Sequence, residues 1–274
     1  MRIDAHQHFW RYTAADYGWI DEPMRALRRD FLPAELAPLL AAHRLDGTVA
    51  VQARQTLEET RWLLELAREH AFIKGVVGWV PLADPAIVGV LDSLCQNPRL
   101  KGVRHVVQGQ PAGFLDAPAF NAGLREVTAR GLVYDILIFA NQLEEAARFV
   151  DRHPQQVFVL DHLAKPVVQG APPAAWRQQL GELARRPNVS CKFSGVVTEV
   201  PGWQWTPALL RPYFDAVLDT FGPRRLMFGS DWPVCLVAAD YARWFEFVDT
   251  CTRPLVAAER ELILGGTAAE VYRL

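Results

Sequence analysis

Short apolar runs rich in β-branched residues alternate along the chain with longer stretches whose apolar residues recur every three or four positions. The short runs predict β-strands, and the longer stretches predict helices that bury one face. The predicted strands span residues 2–8, 47–52, 73–80, 100–106, 132–138, 157–162, 189–194 and 225–230. The predicted helices lie near residues 57–67, 85–95, 117–130, 142–152, 174–186 and 207–221.

The eight predicted strands, each followed by a helix, indicate one closed barrel. Near-continuous apolar strands are typical of parallel sheets that are buried on both faces. Eight such βα units in about 250 residues form a (β/α)8 barrel, also called a TIM barrel. No Gly/Ser-rich linker and no shift in composition divides the chain, so we expect a single α/β domain over residues 1–274.

Long irregular segments follow four of the predicted strands, at residues 11–32, 107–116, 163–173 and 195–206. In this barrel class, the loops after the strands lie at the carboxyl-terminal face, where active sites are built. We therefore expect these segments to form the lids and walls of a substrate site.

Composition and charge exclude several classes of function. The 274 residues are 50% hydrophobic and 22% charged, with a net charge of -2, so neither nucleic acid nor an anionic membrane is favoured as a partner. The four cysteines form no C-x-x-C pair, and the polar residues from His6 onward predict no secretion signal. We expect a cytoplasmic protein that binds a small molecule, with a homo-oligomer left open.

A pair of histidines near the start of the chain is the first candidate for chemistry. His6 and His8 are two apart in a predicted strand, so their imidazoles point to the same face. Asp231 follows the last predicted strand and would reach the same mouth of the barrel. The histidine pair alone is equally well explained by two surface histidines, but the matching carboxylate favours a site.

Polar residues also end the other predicted strands. The mouth would receive Gln52, Arg54, Arg104 or His105, Asp161, His162, Lys192 and Ser194. Arg104 and His105 are neighbours and point to opposite faces, and Arg104 is favoured as the inward one. We expect Gln52, Lys192 and Ser194 to bind substrate. Candidates for an aromatic wall at this mouth are Trp10, Trp79, Trp203, Trp205 and Trp232.

Three histidines and one carboxylate fit two chemistries. In the first, His6, His8 and Asp231, with or without His162, hold a Zn²⁺ that activates water. In the second, Asp231 takes the proton from water without a metal, and His6, His8, His162 or Arg104 polarises a carbonyl. The sequence contains neither a Ser or Cys nucleophile arrangement nor a glycine-rich phosphate loop.

Six motifs, in order along the chain, resemble the amidohydrolase superfamily and, within it, the amidohydrolase-2 group of sugar and pyrone lactonases. They lie at residues 3–10, 51–53 with 59–64, 101–105, 160–166, 191–195 and 227–233. The resemblance covers nearly the whole chain. It implies His6 and His8 as first-strand ligands, His162 as the sixth-strand histidine and Asp231 as the base.

The sequence departs from this group's metal-binding pattern in two places. Arg104-His105 stands where binuclear relatives have a bridging lysine, and Tyr134-Asp135-Ile136 stands where most metal-binding relatives have a histidine. The resemblance then implies at most one divalent ion, Zn²⁺, at His6, His8 and Asp231, and a reaction that does not strictly require a cofactor.

The function that the resemblance implies is hydrolysis of a sugar-acid lactone, such as L-fuconolactone or L-rhamnonolactone, to the aldonic acid. Two alternatives stay open: a metal-dependent decarboxylase of a small aromatic acid, and a sugar-binding barrel without catalysis. The missing fifth-strand histidine argues against the first, and Asp231 argues against the second. Because Arg104 and Arg54 are the only arginines placed at the mouth, a neutral lactone is favoured over a pyrone dicarboxylate.

Overall fold

The barrel predicted from the sequence is present. In the computed structural model, which describes residues 1–274, eight parallel strands pair in sequence order from first to last. They are β1 (Ile3–Gln7), β2 (Gly47–Val51), β3 (Ile73–Gly78), β4 (Leu100–Val106), β5 (Val133–Leu137), β6 (Phe158–Leu160), β7 (Val189–Phe193) and β8 (Leu226–Phe228). All eight predicted strands are confirmed, with ends that differ from the expected ends by no more than two residues.

Helices cover the outside of the barrel. They are α1 (Pro33–Ala42), α2 (Leu57–Glu69), α3 (Ile87–Leu94), α4 (Pro118–Ala129), α5 (Leu143–Asp151), α6 (Ala174–Ala184), α7 (Pro207–Phe221), α8 (Tyr241–Thr252), α9 (Ala257–Glu261) and α10 (Thr267–Tyr272). The six helices predicted by their bounds are confirmed. No helix bounds are predicted above for α1, α8, α9 or α10. No helix is long and apolar enough to cross a membrane.

The barrel closes between β8 and β1 through few main-chain contacts. A single bridge pairs Gln7 with Trp232, and the N–H of His8 donates to the carbonyl of Trp232 at 2.7 Å. The buried carboxylate of Asp4 reinforces this seam, because it accepts hydrogen bonds from the N–H of Ser230 at 2.8 Å and the hydroxyl of Tyr241 at 3.0 Å. One carboxylate therefore ties β1 to the turn that follows β8.

The floor of the barrel interior is apolar. A buried cluster inside the lower barrel joins strand residues to two side chains of α10, Ala268 and Tyr272. Its strand members are Ile3, Ala5, Val49, Val51, Val77, Val133, Val159 and Met227. The register between β1 and β2 shifts between Asp4 and Gln7, as at a β-bulge. Because of this shift Ala5 belongs to the apolar cluster, while the adjacent His6 reaches the polar layer above it.

Candidate active site

A cavity of about 420 Å³ opens at the carboxyl-terminal end of the barrel. Its lining residues are His8, Trp19, Met24, Ala53, Arg104, Val106, Gln108, Leu137, His162, Lys165, Thr198, Glu199, Trp203, Asp231 and Val234. Each of the four long loops expected from the sequence contributes to this wall. A mixed lining of apolar groups with a few convergent charged groups is typical of small-molecule sites.

Three buried side chains meet beneath this cavity, of which His8 and Asp231 are in its lining and His6 is fully buried outside it. His6 Nε2 and His8 Nε2 are 3.2 Å apart. Asp231 Oδ1 lies 3.3 Å from His8 Nε2 and 3.8 Å from His6 Nε2. Asp231 has a left-handed backbone (φ 56°), a conformation that costs a non-glycine residue about 1 kcal/mol or more and that persists where the surroundings enforce it. The structure thus brings the two histidines and the carboxylate together, as the sequence predicts.

Hydrogen-bond partners determine which ring nitrogens of these histidines carry protons. His8 Nδ1 lies 2.8 Å from the carbonyl oxygen of Val51, which can only accept, so His8 Nδ1 carries a proton. His6 Nδ1 lies 3.3 Å from Asp161 Oδ1, and the guanidinium of Arg104 lies 3.2 Å from His6 Nε2. Because a guanidinium only donates, His6 Nε2 is an acceptor. His6 Nδ1 lies between the carboxylate of Asp161 and the ammonium of Lys192, which is also 3.3 Å away.

Beneath the cavity, the electrostatics favour an uncharged imidazole at His6 beside a charged carboxylate at Asp231. Burial lowers the pKa of His6 well below its usual value, so this ring is neutral at neutral pH. Burial acts to raise the pKa of Asp231, but the attraction of the surrounding histidines, His162 foremost, outweighs it and leaves this pKa below its ordinary value. Asp231 is therefore ionised at neutral pH and can accept a proton.

His162 reaches the cavity from a turn of unusual backbone geometry. The four consecutive residues from His162 to Lys165 all have positive φ, between 49° and 60°. His162 Nδ1 lies 2.8 Å from Ser194 Oγ, and its Nε2 lies 3.9 Å from Asp231 Oδ1. Burial lowers the pKa of His162 to about 4. The backbone of Gly195 passes so close to this ring that a Cβ there would lie 2.4 Å from His162 Nδ1.

Arg104 is the inward-facing member of the Arg104-His105 pair, as expected. Its guanidinium donates to Asp161 Oδ2 at 2.9 Å and to the carbonyl of Gln52 at 2.5 Å. His105 lies on the other face, where it accepts a hydrogen bond from the indole of Trp79 at 3.2 Å. The guanidinium is therefore fixed on two sides and lines the cavity with a positive charge.

Lys192 lies below the cavity, not in its lining. Its ammonium is fully buried, 2.5 Å from Asp135 Oδ2 and 3.1 Å from Asp161 Oδ1. The hydroxyl of Tyr272 donates to Asp135 at 2.8 Å. The expectation that Lys192 contacts substrate is not met, because two carboxylates hold the ammonium one layer deeper, beneath His6.

Several other predicted substrate contacts also fall outside the lining. Gln52 and Ser194 are buried behind Arg104 and His162, so they support those side chains from the second layer. Trp79 is held by His105. Three more of the tryptophans that were proposed for the wall are buried in the core. They are Trp10, Trp205 and Trp232.

The aromatic wall is formed instead by Trp203, which was among the candidates, and by Trp19, which was not. Trp10 is packed in the core because its indole donates to the carbonyl of Arg29 at 2.9 Å and its backbone pairs with Phe31. These contacts of Trp10 anchor the loop that carries Trp19. Trp19 is 44% exposed and lines the cavity, and neither property can be read from the sequence.

Comparison with known proteins identifies the family. The Amidohydrolase family model matches residues 3–274. The chain belongs to this amidohydrolase family. Its relatives include an L-fucono-1,5-lactonase of Burkholderia multivorans, 44% identical over 100% of this chain and 96% of that protein. An L-fucono-1,5-lactonase of Burkholderia ambifaria is 38% identical, again over 100% of this chain and 96% of the relative.

A solved structure agrees with this amidohydrolase assignment. The crystal structure of an amidohydrolase from Burkholderia multivorans with bound zinc superposes with a TM-score of 0.97 at 44% identity. The match covers 100% of this chain and 99% of that one.

The donor set of the present chain fits one divalent ion. Tetrahedral zinc ligands at about 2.0–2.1 Å from the ion lie roughly 3.3 Å from one another. The corresponding separations among His6 Nε2, His8 Nε2 and Asp231 Oδ1 are 3.2, 3.3 and 3.8 Å. His8 Nε2 and Asp231 Oδ1 can each donate a lone pair to an ion, whereas the lone pair of His6 Nε2 faces the guanidinium of Arg104. Arg104 opposes such binding, because its positive charge lies 3.2 Å from His6 Nε2.

Proposed function

We propose that this protein hydrolyses the ring ester of a sugar-acid lactone, of the L-fucono-1,5-lactone type, to the open aldonic acid. The observation that carries the proposal is identity of 44% and 38% to two L-fucono-1,5-lactonases over the whole chain. The geometry supports it, because an ionised carboxylate and a group of hydrogen-bond donors face the same small cavity. Attack of water on a carbonyl requires a base and a charge-stabilising group in this arrangement.

Asp231 is the proposed general base. It takes a proton from the attacking water while the water oxygen bonds to the lactone carbonyl carbon. The carbonyl oxygen then carries the negative charge of a tetrahedral intermediate. When the intermediate collapses, the bond between the carbonyl carbon and the ring oxygen breaks. The proton held by Asp231 passes to the departing ring oxygen, which becomes a hydroxyl group of the aldonic acid.

Arg104 and His162 are the proposed groups that stabilise the developing charge. The guanidinium of Arg104 is fixed by Asp161 and by the carbonyl of Gln52, so it does not reorganise during the reaction. When the hydroxyl of Ser194 donates to His162 Nδ1, the proton of the neutral ring lies on Nε2, which faces Asp231 across 3.9 Å. His162 Nε2 can then donate to the substrate oxygen.

His6, His8 and Asp231 would hold a divalent metal ion where one is bound. A bound Zn²⁺ supplies Lewis acidity and lowers the pKa of its water. We propose that turnover does not strictly depend on it, because Arg104 already supplies positive charge beside His6 and competes with an ion for the lone pair of Nε2.

The charges of the cavity favour a neutral substrate. Each cation of the lining is already matched by a carboxylate: Arg104 by Asp161 at 2.9 Å and Lys165 by Glu199 at 3.4 Å. No guanidinium is left to hold a substrate carboxylate as a bidentate partner. Hydroxyl groups, by contrast, need only dispersed donors and acceptors beside an apolar surface such as that of Trp203.

A lactone panel tests the proposal directly. Ring opening releases a proton at neutral pH, so a weakly buffered indicator assay follows any lactone. We expect five- and six-membered sugar lactones to be hydrolysed much faster than 2-pyrone-4,6-dicarboxylate. Efficient turnover of the dicarboxylate with no activity on any aldonolactone would refute the assignment.

A further inference from the structure

The loop that follows β6 points two side chains into the cavity from one strained turn. His162 and Lys165 begin and end the run of left-handed residues, and the N–H of Lys165 donates to the carbonyl of His162 at 2.7 Å. Left-handed backbone costs a non-glycine residue roughly 1–2 kcal/mol, so such a run persists only where the surroundings enforce it. Strain of this kind is concentrated at functional sites. His162 already has a role in the proposed reaction, and Lys165 does not.

Lys165 has an acidic partner across the cavity wall. Its ammonium lies 3.4 Å from Glu199 Oε1, and the two side chains are 19% and 17% exposed. Glu199 comes from the loop after β7, and its carbonyl accepts a hydrogen bond from the N–H of Val168 at 3.2 Å. The two loops are thus joined by main chain as well as by charge, which holds the pair at a fixed place in the cavity lining.

Both ions keep hydrogen-bonding capacity that the protein does not use. An ammonium group has three donors and a carboxylate has about four acceptor sites. Apart from Lys165, the neighbour of Glu199 Oε1 is the hydroxyl of Thr198 at 3.2 Å, and that hydroxyl lies closer, at 2.7 Å, to the carbonyl of Gly195. Donors and acceptors therefore lie side by side on a wall that a bound substrate would touch.

We propose that Lys165 and Glu199 form the specificity-determining pair of this site. The pair binds two adjacent hydroxyl groups on the ring of the substrate. This inference rests on the lactonase function proposed above. One hydroxyl donates to the Glu199 carboxylate, and its neighbour accepts from the Lys165 ammonium. A single ion would suit an isolated charge of the opposite sign, but a matched pair suits neutral groups that both donate and accept. Trp203, in the same lining, offers the apolar surface that a sugar ring needs.

The test compares a lactone that carries ring hydroxyl groups with a lactone of the same ring size that carries none. L-Fucono-1,5-lactone and δ-valerolactone present the same ester to Asp231, but only the first carries ring hydroxyls. The variants are Glu199→Gln and Lys165→Met, and Glu144→Gln is the matched control, because Glu144 forms an exposed ion pair with Arg148 on α5. The measured quantity is the ratio of kcat/KM for the two lactones.

We expect each cavity variant to lower this ratio about tenfold to a hundredfold, the loss typical of a hydrogen bond to a charged group. The Glu144→Gln control should leave the ratio unchanged. An unchanged ratio in Glu199→Gln, or an equal loss on both lactones, would overturn the proposal. Thermal unfolding of each variant confirms that the compared proteins are folded.

A series of monodeoxy lactones tests the same idea in the unaltered protein. Removal of either of two adjacent hydroxyls should cost activity, and removal of the others should cost much less. An equal loss of activity for every hydroxyl removed would contradict the role proposed for Lys165 and Glu199. If the unaltered protein hydrolysed neither L-fucono-1,5-lactone nor δ-valerolactone, the lactonase function itself would fail, which is a different outcome from an unchanged ratio.

Discussion

The backbone N–H of Asp231 donates a hydrogen bond of 2.7 Å to the carbonyl of His6. The proposed base and the first histidine are therefore joined through the main chain as well as through facing side chains. Asp4 strengthens the same joint, since its carboxylate accepts from the N–H of His6 at 3.2 Å and from the N–H of Ser230 at 2.8 Å. The relative position of base and imidazole is set where the barrel closes.

Replacement of Asp231 by Asn should abolish turnover while the fold is retained. The amide is nearly isosteric with the carboxylate but cannot accept the proton of water. We expect kcat to fall by about 10²-fold or more, the scale of general base catalysis. Steady-state kinetics and thermal unfolding together check this prediction. A kcat close to that of the unaltered protein would remove Asp231 from the mechanism.

Exhaustive chelation should leave much of the activity. His6, His8 and Asp231 can hold one ion, but the guanidinium of Arg104 lies 3.2 Å from His6 Nε2 and supplies positive charge at the same place. We expect dialysis against a strong chelator, with metal content measured by mass spectrometry, to leave kcat within severalfold of its starting value. If activity were lost completely and returned with one equivalent of Zn²⁺, the ion would be essential.

Replacement of Lys192 by Met should destabilise the protein strongly. The change leaves Asp135 and Asp161 buried without the ammonium that lies between them. Loss of one partner of a buried ion pair costs about 3–5 kcal/mol. Urea unfolding measures the loss. Activity should fall too, because Asp161 also orients His6.

A double variant and a surface control complete this test. Addition of Asp135→Asn to Lys192→Met removes one of the uncompensated charges and should restore part of the stability. Arg148→Met breaks an exposed pair with Glu144 and should cost no more than about 1 kcal/mol. A Lys192→Met protein as stable as this control would show that the buried pair contributes little.

Glu59 should make the protein less stable as the pH rises. Its carboxylate accepts from the N–H groups of Ala53 at 3.0 Å and Arg54 at 2.7 Å, and burial raises its pKa from 4.5 to about 7. Between these two values the folded chain holds a proton that the unfolded chain has released. Stability from this group is thus complete below pH 4.5 and is lost as the pH rises through 7.

Glu59→Gln removes this dependence, because the amide oxygen keeps both hydrogen bonds without ionising. We expect its stability advantage over the unaltered protein to grow between pH 5 and pH 8, by of the order of 2–3 kcal/mol. Urea unfolding at both pH values measures the difference. Glu58→Gln, an exposed neighbour on α2, serves as the control. An advantage equal at both pH values would contradict the role assigned to burial.

Much of the barrel could be predicted because strand periodicity is a local property. A buried parallel strand shows as an apolar run whatever it packs against. Alternation likewise predicts that Arg104 and His105 face opposite sides of β4, but it does not decide which of the two faces inward. The bounds of α1 were not predicted, since Pro38 lies inside it and its outward face carries few polar residues.

The sequence does not predict how far an inward-facing side chain lies below the mouth of the barrel. The residues that were predicted to contact substrate but do not line the cavity were misplaced for this reason. Alternation correctly places Lys192 inward, but not whether its ammonium ends in the cavity or beneath it. That depends on Asp135 and on Tyr272 of α10, which are far away in the sequence. Trp10 and Trp232 follow candidate site residues along the chain, yet they pack against Phe31 in the core.

The narrow seam between β8 and β1 has a consequence for how the molecule comes apart. Seven of the eight strand junctions are hydrogen-bonded ladders, whereas this one relies on a single bridge and a few bonds around Asp4. Native proteins open first where few bonds must break. Because His6 and Asp231 lie on the two sides of this junction, partial opening would disable catalysis while the other strands stay paired, and inactivation would precede denaturation.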